Sequence, residues 1–187
     1  SVLAARIAAL VSWAALQRGD RLGGLVFSEA EHREVRPRRS RRSVLGLLSA
    51  IAEMNTSLPL PPQRSPLDFA DMLVELRRIA RPGSSLFLVS DFSGAQTENA
   101  MEHMYSLARR MEITALHCSD ALERELPGAG SYAVTDGESR AQLFTGDSGL
   151  RDAFAGRYRQ QLDTLRQSLG RLGVPLIEAS TDESPLG

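Results

Sequence analysis

The stretch "SSLFLVSDFSG", residues 84–94, decides the fold class of this chain. Four consecutive apolar residues, 86–89, run without alternation into Ser90 and Asp91. Such an unbroken run is typical of a strand that is buried on both faces, as in a parallel sheet. Ligands of open α/β sheets bind at the carboxyl ends of such strands. The stretch therefore predicts an inner strand that carries Asp91 to an open edge of a sheet.

Helical and extended patterns alternate along the rest of the chain. Apolar residues at helical spacing predict helices at 2–17, 44–54, 67–80, 95–111 and 149–173. Further strands are predicted at 22–27, 113–117 and 174–180, with an edge strand at 31–38 and a hairpin at 131–144 around Asp136-Gly137. This alternation predicts one α/β domain over residues 1–187, in which a mostly parallel, Rossmann-like sheet is flanked by helices in three layers. The polar end of the chain, 181–187, is expected to fray.

Particular residues are expected to set the start and the inner face of these helices. Ser43 is expected to cap the helix at 44–54. The inner face of the helix at 67–80 is expected at Leu67, Ala70, Leu73, Val74 and Leu76. The last helix carries an apolar stripe at Leu150, Phe154, Tyr158, Leu162, Leu165 and Leu169. Both stripes predict helices that pack on a common core.

The bulk composition bounds the class of protein. With 187 residues, 42% of them hydrophobic, the chain can bury one sizeable core. A net charge of -1 gives no general attraction to nucleic acid or to anionic membranes, and every basic residue is an arginine. Cys118 is the single cysteine, which excludes an intrachain disulfide and fits a reducing, cytoplasmic compartment. No apolar run approaches the roughly 20 residues of a membrane span.

The order of the segments resembles a known family. The succession consists of "RGDRLGGLVFS" (18–28), "RPRRSRRSVLGLLSAIAEM" (36–54), "SLFLVSDFSG" (85–94), and the segments at 107–146 and 157–181. Together they resemble the bacterial domain of unknown function 58 family, whose members are similar to von Willebrand factor A domains. The resemblance implies a Rossmann-like sheet flanked by helices, and an association with MoxR-type AAA+ ATPases. Members often carry membrane-spanning segments ahead of this domain.

The resemblance also implies a metal-ion-dependent adhesion site built on three loops. Asp91 matches the aspartate of the third loop, and Ser65 stands where the second loop has a threonine. Mg²⁺ prefers an octahedron of oxygen ligands, which such side chains supply together with water. The Asp-x-Ser-x-Ser motif of the first loop has no match, because the chain begins inside a helical pattern after it. We therefore expect an N-terminally incomplete domain that binds no metal by itself, with Mg²⁺ possible in the intact protein.

The missing first loop implies a missing central strand. A gap inside a sheet leaves backbone groups unpaired, at about 1–3 kcal/mol for each buried group. Two outcomes remain open: the strands that flank the gap close up, or another chain fills it. The second outcome would make a homo-oligomer possible.

The favoured function is a protein-interaction module and not an enzyme. It would act beside a MoxR-type AAA+ ATPase on an unknown client protein, with binding at the strand ends around Ser65 and Asp91. The loops at 59–64 and 120–130 would set the choice of partner. Partner contacts are predicted at Arg38, Arg39, Asp120 and Glu123.

Two other functions compete with this one. A metal-assisted phosphoesterase could use Asp91, although such chemistry needs more convergent acids or histidines than the sequence offers. The arginine run between Arg33 and Arg42 could bind nucleic acid, but no aromatic residues interleave with it, so binding of nucleic acid is not expected. Cys118 follows His117 on a predicted strand, where neighbours point to opposite faces. It is therefore expected to be an inert buried thiol.

Overall fold

The computed structural model of this chain describes residues 2–28, 31–56, 67–135 and 140–182. Within them the helices are α1 (Val2–Arg18), α2 (Arg41–Thr56), α3 (Phe69–Ile79), α4 (Glu98–Ala108), the single turn α5 (Ala121–Arg124) and α6 (Ser148–Arg171). The strands are β1 (Leu22–Phe27), β2 (His32–Arg38), β3 (Ser85–Ser90), β4 (Glu112–Ser119), β5 (Ser131–Thr135), β6 (Arg140–Phe144) and β7 (Leu176–Ser180). Every predicted helix and strand is present, which confirms the α/β class.

The centre of the molecule is a parallel sheet of three strands in the order β3-β4-β7. Ser85 of β3 pairs with Glu112 of β4, and Ser119 of β4 pairs with Ser180 of β7. The three strands therefore end along one common edge. β4 is the inner strand, and seven of its eight residues are shielded from solvent at least in part.

Helices cover both faces of this sheet and give the predicted three layers. On one face α3, α4 and α6 enclose the larger core, in which Leu73, Leu107 and Leu169 are fully or almost fully buried. On the other face α1 lays Leu3 and Ile7 against β4. Burial of such side chains supplies the main favourable free energy of folding.

β3 differs from the prediction of a strand buried on both faces. Leu88 is 5% exposed, but Phe87 is 46% exposed. The reason is the strand order, because β3 is hydrogen-bonded only to β4 and forms an edge of the three-stranded sheet in the described part of the chain. The burial that the apolar run predicted for β3 belongs to β4.

The predicted hairpin of β1 and β2 is confirmed, and it forms a sheet of its own. The pair is antiparallel, with Phe27 opposite His32 and a bulge between Leu22 and Gly24. Leu25 and Phe27 pack on the larger core, while Gly24 lies against Leu47 of α2. In the described residues β1 is hydrogen-bonded only to β2. Among these residues β1 is therefore not paired with β3, and the way in which the expected gap is filled stays a prediction.

β5 and β6 form the second predicted hairpin, with Ser131 opposite Phe144. Its predicted turn residues, Asp136 and Gly137, lie outside the described residues.

Three details of the helices correct the sequence prediction. α2 begins at Arg41, and the hydroxyl of Ser40, not Ser43, accepts the backbone N–H of Ser43 at 3.2 Å. Val74 is 44% exposed, since the inner face of α3 also uses Phe69 and Met72. The first turns of α6 extend beyond the core, so that Leu150 and Phe154 are exposed. In the described ranges, no helix combines the length and the apolar character that crossing a bilayer requires.

Candidate functional site

The carboxyl ends of the three parallel strands carry one acid each. Asp91 follows β3, Asp120 follows β4, and Asp182 comes two residues after β7. In each case the strand itself ends in a serine. We call this edge, with the residues that follow each strand, the rim. The position of Asp91 agrees with its prediction from the apolar run.

Asp91 is held in a tight turn. Its Oδ1 accepts the backbone N–H of Ser93 at 3.0 Å, while the hydroxyl of Ser90 accepts the backbone N–H of Phe92 at 3.1 Å. Phe92 has φ +58°, a left-handed conformation that is rare for a bulky residue. Its ring is 4% exposed and packs against Phe69 at 5.5 Å between centroids. Packing in the core thus compensates an unfavourable backbone conformation next to Asp91.

Asp120 organises the middle of the rim. Its Oδ1 accepts the N–H of Leu122 at 3.0 Å and thereby caps α5, and its Oδ2 accepts the hydroxyl of Thr181 at 2.9 Å. The first of these bonds, and then the second, lowers the pKa of Asp120, because both favour the ionised carboxylate. Asp120 therefore joins the end of β4 to the end of β7.

Asp182 braces α5 from the other side. Its two oxygens accept Arg124 Nη2 at 2.6 and 2.7 Å. The hydroxyl of Ser180 also donates to Asp182, and this bond is the first cause of the lowered pKa of Asp182. Thr181 and Asp182 are thus fixed, although they begin the segment that was expected to fray.

His117 and Cys118 lie beneath the rim on opposite faces of β4. The imidazole is 6% exposed, between the rings of Phe92 and Tyr158, and its Nδ1 is buried without a hydrogen-bond partner among the described residues. Burial lowers the pKa of His117, against the opposing effect of nearby carboxylates. Burial raises the pKa of the Cys118 thiol to about 11. The pair forms no nucleophile, as the alternation of side chains along a strand predicts.

Of the two predicted metal ligands, Asp91 lies in the described ranges. Ser65 lies outside them, so its role stays a prediction. Asp91 already uses Oδ1 in its turn, and Asp120 uses both oxygens. No three histidine, cysteine, aspartate or glutamate side chains at 2–28, 31–56, 67–135 or 140–182 are placed to hold an ion together. The metal site predicted at Asp91 and Ser65 stays a prediction.

The predicted partner-binding residues fall into two separate groups. Glu123 lies on α5 at the rim, next to Asp120. Arg38 ends β2 opposite Leu22, and the guanidinium of Arg39 lies against Gly19, where a Cβ atom would stand 2.2 Å from Nη2.

Other arginines of the same run are engaged within the protein. Arg33 pairs with Glu31 and Glu53, and Arg41 lies over the ring of Trp13 at 5.7 Å. These contacts engage two of the arginines that the sequence suggested as an alternative site for binding nucleic acid.

Three residues of the rim escaped sequence analysis: Thr181, Asp182 and Arg124. A usable signal was present, because a serine followed within two residues by an aspartate recurs after β3, β4 and β7. This pattern was missed after β7 because the polar composition of residues 181–187 predicted a frayed end.

Comparison with known proteins decides the family. The family described as "Protein of unknown function DUF58" matches residues 1–164. The chain belongs to the DUF58 family. This DUF58 chain is 30% identical over 181 residues to the uncharacterized proteins Rv1480 of Mycobacterium tuberculosis (strain ATCC 25618 / H37Rv) and Mb1516 of Mycobacterium bovis (strain ATCC BAA-935 / AF2122/97). The match covers 96% of this chain and 55% of each relative. The chain thus spans about half the length of these relatives.

A solved structure is also similar to the DUF58 chain. It is the conserved hypothetical protein BatB from Bacteroides thetaiotaomicron, at 12% identity and a TM-score of 0.46, with 90% of this chain and 87% of that one covered.

Proposed function

We propose that this DUF58 chain is a non-enzymatic, protein-binding module whose docking surface is the rim. One observation carries the proposal: α5 presents an exposed apolar side chain from a rigid support. Leu122 is 61% exposed on a turn that Asp120 and Asp182 hold from both sides. An exposed leucine is common on protein surfaces, but this one stands on a turn that is held by hydrogen bonds, and its burial under a partner would contribute about 1.5–3 kcal/mol.

The surroundings of Leu122 suit a polar interface. Asp120 and Glu123 give its border negative charge, which directs approach toward basic surfaces, while Asp182 is paired with Arg124. Because the side chains around α5 are already ordered by hydrogen bonds, less conformational entropy is lost when a partner binds. The partner would meet a preformed surface.

A MoxR-type AAA+ ATPase is the partner that the family resemblance supports, with a client protein as the second component. In this proposal the domain lies in the cytoplasm, where such an ATPase has access to ATP. The loop at 59–64 and Ser65, which the sequence predicts to take part in partner binding, lie outside the described residues, so their part in this surface stays a prediction.

Binding to the ATPase tests this proposal. The chain is immobilised, and a MoxR-type ATPase from the same organism is passed over it by interferometry. We expect Leu122→Ser combined with Glu123→Arg to weaken binding by about tenfold or more, because the variant removes apolar contact area and reverses one charge. The control combines Leu45→Ser with Glu102→Arg, which changes an exposed leucine and an exposed acid away from the rim. Failure of the wild type to bind, or an equal loss in both variants, would contradict the proposal.

A further inference from the structure

A basic cleft lies at the opposite end of the sheet from the rim. α3 and α4 both end there, just before β3 and β4 begin, and the backbone N–H of Gly83 bonds to the carbonyl of Arg110 at 2.8 Å to join the two connections. The cleft between the two helix ends has a volume of about 860 Å³. Parallel strands put their amino ends together, so the cleft and Asp91 are separated by the length of the sheet.

Four arginines and one histidine line this cleft: Arg77, Arg78, Arg109, Arg110 and His103. Two of the arginines come from the last turn of α3 and two from the residues that follow α4. Cations are favourable at helix C-termini, which accounts for part of this pattern. The preference of helix C-termini for cations does not, however, explain why the surface between the two helices is concave.

The charges of the cleft are only partly neutralised. Arg78 pairs with Glu75 at 2.9 Å and with Glu34 at 3.3 Å. Arg77 donates to Nδ1 of His103 at 3.1 Å, a neutral acceptor. Among the residues the structure describes, Arg77, Arg109 and Arg110 have no carboxylate within ion-pair distance. Three guanidinium groups thus remain available for an external carboxylate.

The walls of the cleft also offer apolar surface. Val74 is 44% exposed and Tyr105 is 51% exposed, and both line the cleft. The guanidinium of Arg109 lies over the ring of Tyr105 at 5.9 Å. That cation–π contact holds Arg109 against one face of the ring.

We propose that this cleft binds an acidic segment of a partner protein. Arg77, Arg109 and Arg110 would take glutamate or aspartate side chains, and Val74 would receive an apolar side chain of the same segment. Guanidinium groups match carboxylates in shape and bind them by two parallel hydrogen bonds.

Guanidinium groups also bind phosphates. The apolar surface of Val74 and Tyr105 beside the arginines favours an acidic peptide segment over a phosphate, which has no apolar part to place there. Polar and apolar groups line the cleft in similar amounts, whereas small-molecule sites are lined predominantly by apolar groups. The surface is separate from the rim, so the inference does not depend on the function proposed for the rim.

Fluorescence anisotropy with a short fluorescein-labelled peptide of alternating glutamate and leucine tests the inference. We expect the wild type to bind it at low salt, and more weakly at about 0.15 M salt. Arg109→Glu with Arg110→Glu should weaken binding by about tenfold, equivalent to about 1.4 kcal/mol. The control, Arg157→Glu with Arg171→Glu, makes the same change of net charge at two exposed arginines of α6 outside the cleft, and should bind like the wild type.

A second variant protects the result against misfolding. Val74→Asp alters an exposed position and adds a negative charge to the cleft, so it should weaken binding while the thermal unfolding midpoint stays near that of the wild type. The inference is overturned if the acidic peptide does not bind, if a glutamine-for-glutamate peptide binds equally well, if the α6 control loses as much affinity, or if inorganic phosphate or a short DNA duplex displaces the peptide at lower concentration than unlabelled peptide does.

Discussion

At the scale of single residues, the described structure places polar groups in apolar surroundings directly beneath the rim. His117 lies between two aromatic rings with one nitrogen unpartnered, and the thiol of Cys118 is buried on the other face of β4. A buried polar atom without a partner costs free energy, so the unpartnered Nδ1 of His117 lowers the stability of the folded protein. Burial favours the neutral form of this imidazole over the charged form.

The protonation of His117 predicts how stability depends on pH. Because burial lowers its pKa below 6.5, an unfolded chain takes up a proton below that pH that the folded protein does not. The free energy of unfolding should therefore fall as pH drops below about 6.5, by at most about 1.4 kcal/mol per pH unit from this group. Urea unfolding between neutral and mildly acidic pH measures the slope, which His117→Gln should reduce.

His32→Gln is the matched control, since His32 is exposed. It should keep the slope of the wild type. Equal slopes for the wild type and His117→Gln would show that this imidazole does not titrate differently in the two states.

At the scale of elements, helix starts are set by short-range hydrogen bonds. α3 begins with a capping box, in which Asp68 accepts the N–H of Asp71 at 2.8 Å and Asp71 accepts the N–H of Asp68 at 3.1 Å. Asp68→Ala should therefore destabilise the protein by about 1 kcal/mol. Urea unfolding would show a lower midpoint with an unchanged slope.

Glu102→Ala tests whether removal of an exposed carboxylate, without loss of the capping box, changes the free energy of unfolding. Glu102 is exposed in the middle of α4, so this variant should stay within about 0.5 kcal/mol of the wild type. Equal midpoints for Asp68→Ala and Glu102→Ala would exclude a role for the capping box.

The sequence patterns predicted the positions of helices and strands better than they predicted the exposure and the hydrogen-bond partners of individual residues. The apolar run before Asp91 predicted the position of β3, because a strand that contacts the core needs apolar residues whichever strands it pairs with. It could not give the exposure of Phe87, which depends on which strands are hydrogen-bonded. Ser40 and Ser43 both precede the apolar part of α2, and only the backbone geometry distinguishes the cap.

The rim shows the same limit. The position of Asp91 followed from the strand, whereas the bonds of Asp182 to Arg124 join residues 58 positions apart. No local pattern contains such a pairing.

At the scale of the whole molecule, β1 and β3 belong to separate sheets in the described residues. β3 has one hydrogen-bonded neighbour and β4 has two in the described structure. Along a parallel edge strand, N–H groups that point away from the neighbour have no strand partner. We therefore expect the amides of β3 to form two classes in hydrogen exchange, about half fast and half slow, while β4 exchanges most slowly.

Nuclear magnetic resonance of the isolated chain can resolve these classes. Uniform protection along β3 would contradict this expectation. It would instead favour a second strand on the open edge, from another copy or from a neighbouring segment of the protein.

The separation of β1 from β3 also has a mechanical consequence. α1 contacts both strands, and in the described residues they are not hydrogen-bonded to each other. Side-chain contacts separate one at a time, whereas a ladder of backbone bonds resists as a unit. We therefore expect force applied to α1 to separate the first hairpin from β3 before it separates β3 from β4.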